Sequence, residues 1–218
     1  FVLGGAVNQA EKSERAGESI CAAARRLFAQ KGYEATTMRD IVAGSGMSKG
    51  AIYHHFRSKQ EVLRSVVEDE CRYLDEYFAG LAAQSQVPVR DRMTALARHL
   101  ASAGPQSSLG RADWVGEVPA ALLGSLRNSL TVLAPHLERM LRQGVESGEI
   151  DCPFPGEVAG VLVLLVDVWI DPLIAADSYE RMRQRVDFVA LFLERFGAPV
   201  LDDEAVAIMK EGVRRFYE

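Results

Sequence analysis

The chain has 218 residues, 48% of them hydrophobic, with 25 Lys and Arg against 30 Asp and Glu, for a formal charge of −5. That length exceeds one small domain and suffices for a sizeable core, while the acidic balance excludes a chain that is basic throughout. The longest unbroken apolar run, Val158 to Val166, is too short to cross a bilayer.

Charge is unevenly spread. Residues 12–60 hold nine Lys and Arg against four acids, a surplus of +5 that leaves −10 for the remainder. A basic head on an acidic body meets a polyanion in one orientation, because phosphate neutralisation attracts the head and the acidic surface is repelled. Cys21, Cys71 and Cys152 are odd in number and lack C-x-x-C spacing, so they read as buried thiols of a reducing cytoplasm.

Residues 1–12 carry no apolar periodicity and are expected to form a flexible arm. They lack the basic start and long apolar core of a signal peptide. Ser13 to Lys31 then places Ile20, Ala23, Ala24, Leu27 and Phe28 at helical spacing and stops at Gly32. A second helix is expected from Thr37, whose hydroxyl can cap it, with Asp40 completing a short-armed capping box. Gly44, Ser45 and Gly46 interrupt this helix, and Ser48 starts a third, Lys49 to about His55. Ile52 and Phe56 lie on its inward side, which leaves Ser48, Lys49, Ala51, Tyr53 and His54 to face outward. Small Gly50 and Ala51 permit close approach to a DNA backbone or base edge, and Lys49, Tyr53 and His54 can hold phosphates. Two capped helices about a glycine turn also suit a plain helical hairpin within a bundle.

The stretch AARRLFAQKGYEATTMRDI, continued by SKGAIYHHFRSKQEVL, resembles the DNA-binding domain of the TetR family of bacterial transcriptional regulators over roughly residues 13–67. Ser45 and Met47 depart from the family's usual alanine and valine at the turn. The resemblance implies a second helix that braces the DNA backbone and a third that enters the major groove. It implies DNA contacts from Thr37, Ser48, Lys49, Gly50, Ala51, Tyr53, His54 and Lys59, with Tyr53, His54 and Lys59 as phosphate clamps.

From Ser58, an S-x-x-E capping box with Glu61 opens a helix of about 25 residues, near 37 Å long, enough to join two domains. Pro88 opens another to about Ala103. Gly104 to Glu117 reads as a loop containing Trp114. Leu122 to about Leu133 and Pro135 to about Ser147 read as one helix broken or kinked at Pro135. Glu157 to Ala175 is almost wholly apolar and reads as a buried helix, Ser178 to Phe196 as an amphipathic one, and Asp202 to Tyr217 as the last. No strand pattern appears, so the expected fold is all-α: a helix-turn-helix domain over 13–60, then a larger helical ligand-binding and dimerisation domain over 61–218.

A helix apolar nearly all round needs cover on every side, which favours a homodimer through helices 157–175 and 178–196, as the resemblance also implies. Central placement within one body is the plainer alternative. Asp167 and Asp171, one turn apart in that helix, need partners; Arg181, Arg183 or Arg185 across the interface are expected, with a cationic ligand as the alternative. Trp114, Phe154 and Trp169 are candidate pocket walls, with His99, His136 and Asp167 as polar groups beside them. The four histidines lack metal-ligand spacing, and no nucleophile elbow, phosphate loop or H-E-x-x-H occurs, so neither metal, cofactor nor catalytic set is expected. By resemblance, a two-fold DNA operator and a small, largely apolar effector are the expected partners. A sensor or carrier that has lost DNA binding, or an enzyme of the body, is the rival reading.

Overall fold

The computed structural model describes residues 3–103, 119–172, 174–175 and 177–218. Among them the regular structure is helical, in the order α1 (Leu3–Lys31), α2 (Met38–Ser45), α3 (Lys49–His55), α4 (Lys59–Ala83), α5 (Val89–Ala103), α6 (Pro119–Asn128), α7 (Ala134–Glu146), α8 (Pro155–Leu164), α9 (Tyr179–Arg195) and α10 (Asp203–Arg214). The expected loop with Trp114 lies outside the described residues. The chain divides into two compact units, with a boundary inside α4 between Glu70 and Cys71.

The first unit is built on α1. Its Ile20, Ala23, Ala24 and Phe28 are buried with Ile41 of α2, Ile52 of α3 and Val62, Leu63 and Val66 of α4. The start of α1 corrects the expected flexible arm, because the helix already runs from Leu3. Ala, Gln, Glu, Lys and Arg dominate residues 6–16, and high helix propensity extends a helix where no apolar stripe marks one.

The second unit packs its core from the end of α4 and from α5, α7, α8, α9 and α10, with Met140, Leu141, Met182, Val186 and Leu193 almost fully enclosed. Arg92 is buried there as well, at 2% exposure. Its guanidinium donates to Gln143 Oε1 at 2.6 Å and to the Leu81 carbonyl at 3.4 Å. Gln143 in turn donates to the Ala82 carbonyl. A cation and an amide thus satisfy carbonyls that the end of α4 leaves open, where the helix dipole favours positive charge.

Two helices break differently from expectation. The break before α7 is a π turn over Ser129–Leu133, and Pro135 sits in the first turn of α7, where a missing N–H costs nothing. The apolar helix expected to reach Ala175 passes from α8 into a second π turn, Leu165–Trp169, and ends at Ile170. Pro172 accounts for the stop, since it lacks an N–H and disfavours helical geometry at Asp171. Val161 and Leu164 of α8 are exposed, so this chain alone does not cover the helix all round.

Gly197 ends α9 in the left-handed region at φ +76°, and a Cβ there would lie 1.9 Å from the Asp151 carbonyl oxygen. Gly148, at φ +75°, has open space around it. Gly197→Ala is therefore expected to lower unfolding stability by about 2–4 kcal/mol, through strain plus a backbone collision. Gly148→Ala carries only the conformational cost, about 1–2 kcal/mol. Urea unfolding of the two variants side by side checks the difference, and equal losses would contradict it.

Candidate functional site

In the first unit α2 is held at both ends by cations from α1. At its start, Thr37 accepts from the Asp40 amide, and the Asp40 carboxylate accepts from the Thr37 amide at 2.8 Å and hydroxyl at 2.7 Å, the reciprocal box expected from sequence. Lys31, in the last turn of α1, pairs with the same carboxylate at 2.7 Å. This ammonium, followed by the Thr37 donors, holds the Asp40 carboxyl well below its ordinary range. At the other end the Arg26 guanidinium donates to the Gly44 carbonyl at 3.0 Å. Neither cation stands out in sequence, since both read as ordinary surface charges of an amphipathic helix.

The turn after α2 is set by Gly46 at φ +69°. Only glycine enters that region at no steric cost. Ser45 closes the turn, its hydroxyl donating to the Val42 carbonyl and accepting from the Met47 amide. Ser48 then caps α3 by accepting from the Ala51 amide at 3.2 Å. Ile52 anchors α3 at 0% exposure, and Phe56, outside the helix at its end, is half-buried.

This leaves Ser48, Lys49, Gly50, Tyr53 and His54 exposed on α3, with Ala51 half-buried beside them. Lys49 Nζ stands 5.8 Å from the Tyr53 ring centroid, and the His54 and His55 rings meet edge to face at 5.6 Å. A small-residue front, a cation and a phenol on one exposed helix can approach a groove and hold its phosphates. Thr37 is also exposed, with its hydroxyl engaged in the capping box. Lys59 is half-buried at the start of α4, where its ammonium donates to the carbonyls of Tyr33 and Glu34. Of the S-x-x-E box, Ser58 accepts from the Glu61 amide, while the Glu61 carboxylate reaches the Arg57 amide.

In the second unit the described body residues singled out from sequence each have partners within the chain, Phe154 excepted as a largely exposed ring. His99 stacks on Tyr77 at 3.8 Å and lies 5.5 Å from Tyr73, whereas His136 Nε2 meets Asp75 Oδ1 at 2.8 Å. Both histidines dock on α4, through different partners. Phe154 is 58% exposed. Trp169 meets Phe188 edge to face at 5.2 Å and lies under the Arg185 guanidinium at 5.4 Å.

The arginines expected to pair with Asp167 and Asp171 have other partners within the chain. Arg185 binds Asp177 and the carbonyls of Trp169 and Ala175; Arg181 pairs with Asp177, and Arg183 with Glu180. Acids near the start of α9 lie three, four or eight positions away, and proximity along the chain decides the pairing. Asp167, half-buried on the second π turn, keeps a hydrogen bond with Ser129 of the first. Burial raises its carboxyl to about 6; the Asp171 charge adds to the rise and the Ser129 bond opposes it.

An acid whose pKa is raised on folding contributes stability that is fully present below its unfolded value, near 4, and lost as pH climbs through about 6. Asp167→Asn is expected to remove that loss. The variant gains on the order of 2–3 kcal/mol relative to the parent between pH 4 and pH 8. Urea unfolding at the two pH values measures it, and parallel pH profiles would refute it.

Residues 20–66 match the model of the bacterial regulatory proteins of the tetR family. The curated relatives include the HTH-type transcriptional regulator YfiR of Bacillus subtilis, 42% identical over 62 residues, and the HTH-type transcriptional repressor KstR2 of Mycobacterium tuberculosis, 42% identical over 67. Those matches cover 28% and 31% of this chain and only 30% and 32% of the relatives' own lengths. The HTH-type transcriptional repressor AcnR of Corynebacterium glutamicum aligns over 82% of this chain and 93% of its own, at 24% identity. Among solved structures, a regulator from Pectobacterium atrosepticum superposes with a TM-score of 0.63 at 22% identity, over 86% of this chain and 96% of that one. RolR in complex with resorcinol does so with a TM-score of 0.60 at 18% identity, over 92% and 95%. These two likenesses show the shared fold. Residues 20–66 thus carry the motif of the tetR family of bacterial regulatory proteins, and the chain shares over most of its length the fold of two solved regulators.

Proposed function

We propose that the protein is a sequence-specific transcriptional repressor that binds a two-fold DNA operator as a homodimer and leaves it when a small, largely apolar molecule enters the helical body. The observation that carries this reading is the exposed front of α3, where Ser48, Lys49, Gly50, Tyr53 and His54 stand clear on a helix capped by Ser48 and anchored by Ile52. The basic surplus of residues 12–60 supports it. Two of the relatives are named as repressors, KstR2 and AcnR, and RolR was solved with a small aromatic molecule. For an effector to release DNA it must favour the DNA-incompetent state of the dimer over the competent one.

Homodimerisation draws support from apolar side chains left open on two helices. Val161 and Leu164 are exposed on α8, and Phe188 and Leu191 on α9, each pair at a spacing of three. A two-fold operator requires the two copies of α3 to lie about one DNA turn apart, roughly 34–36 Å, or a multiple of it. No helix of the described residues is long and apolar enough to cross a membrane.

Selection from a pool of random-sequence duplexes tests the reading: the protein is expected to retain a palindromic sequence at the expense of the pool. Lys49→Ala should weaken binding to the selected duplex and lower the slope of log K against log salt by about 0.9, the mark of one lost phosphate contact. Unchanged affinity in both Lys49→Ala and Tyr53→Ala would remove α3 as the reading surface. Phe188→Glu with Leu191→Glu is expected to yield monomers in sedimentation, and a persistent dimer would place the interface elsewhere.

A further inference from the structure

The cations of the first unit differ in what they meet within the chain. Lys31 pairs with the Asp40 carboxylate, Arg25 with Asp69 of α4 at 3.5 Å, and the Arg26 guanidinium donates to the Gly44 carbonyl. Lys59 shares its ammonium between the carbonyls of Tyr33 and Glu34. Three exposed arginines without such bonds have acids at hand. Arg15 has Glu11 and Glu18, and Arg64 has Glu61 and Glu68, each three or four positions away, where side chains on a helix are neighbours. Arg57 carries the Glu61 carboxylate on its own amide at 2.7 Å. Among the described residues, Lys49 and Arg39 are the exposed cations of this unit with neither a bond to an acid or carbonyl nor an acid at that spacing.

The surroundings of Arg39 explain why its charge stays open. Positions three and four away hold Ala35, Thr36, Val42 and Ala43. Asp40 follows directly, but adjacent residues on a helix do not face each other, and its carboxylate is already engaged by Lys31 and by Thr37. Arg39 also lies in the first turn of α2, where the helix dipole repels a cation. In the free protein the guanidinium is therefore a small cost that only an approaching anion or acceptor removes. Thr37, at the same end of α2, is exposed beside it, so that end is open to a partner.

We infer that Arg39 is a second cation of the DNA-reading surface, acting with Lys49, and that its guanidinium fork closes on a pair of acceptors of the operator. The inference rests on the DNA-binding reading above and adds to it a residue that neither the capping pattern nor the resemblance singled out. Two acceptor pairs on DNA match the fork, the oxygens of one phosphate and the O6 and N7 edge of a guanine.

The test uses the full chain and the duplex it selects from a random pool, with binding followed across a salt series. Arg39→Ala should weaken binding about tenfold and lower the slope of log K against log salt by about 0.9 for each protomer bound. Alanine is the best helix former, so α2 is retained, as an unchanged circular dichroism spectrum should show. Arg39→Lys keeps the charge without the fork and should bind between parent and Arg39→Ala, at the parental slope. Arg64→Ala, which removes an exposed cation with acids beside it, should stay within about twofold of the parent. Repeating the selection with Arg39→Ala separates the two acceptors: an unchanged palindrome assigns the phosphate, and a lost preference for guanine at one position of each half-site assigns the base edge. Parental affinity in Arg39→Ala, a weakened Arg39→Ala at the parental slope, or an equal drop in Arg64→Ala would each overturn the inference. If Lys49→Ala weakens binding while Arg39→Ala does not, the DNA-binding reading stands and the role of Arg39 falls. A parent that selects no duplex sinks that reading itself, and with it any role of Arg39 there.

Discussion

The constraint on which the first unit depends is the two-ended attachment of α2 to α1. An eight-residue helix is too short to persist alone in water, since nucleation is unfavourable and few hydrogen bonds follow it. Its one fully buried apolar residue is Ile41, a thin core for a helix that must hold a fixed direction. The Lys31–Asp40 pair and the Arg26 bond to the Gly44 carbonyl supply what packing does not, and both place charge where the helix dipole favours it. Exposed pairs of this kind add little to global stability. Their effect is geometric, fixing the pitch of α2 against α1 and so the point at which Gly46 turns the chain into α3.

Much of this unit was legible because its signals are local. Thr37 with Asp40, Gly46 and Ser48 each act on backbone groups two to four residues away, and the structure places a capping box, a left-handed turn and a helix cap at those positions. The 25-residue span of α4 was equally readable from its apolar stripe. Contacts between segments far apart in sequence were not. Nothing local to Lys59 indicates that Tyr33, 26 positions away, will receive its ammonium, and Arg26 gives no sign that it will end on Gly44.

The body was legible at the level of helices and less so within them. Hydrophobic periodicity at 3.6 residues does not register a single wider turn, so both π turns passed unseen, and Pro135 drew attention to a break that lies just before it. Composition likewise overstated the length of α8, because the apolar residues continue past the point where Pro172 stops the helix. Within one chain, Arg181, Arg183 and Arg185 take acids close to them in sequence. Asp167 and Asp171 stand out as acids in an apolar run, but Asp177 and Glu180 are nearer along the chain.

The paired π turns have a consequence for how this body can vary. A π turn accommodates one residue more than the α-helix around it, so each is an insertion absorbed without unwinding the helix. Deleting one residue of 165–169 would close the bulge and leave an ordinary helix, with the residues beyond it in their present phase. This stretch of the body can therefore change in length by one while the side chains on either side of it keep their directions.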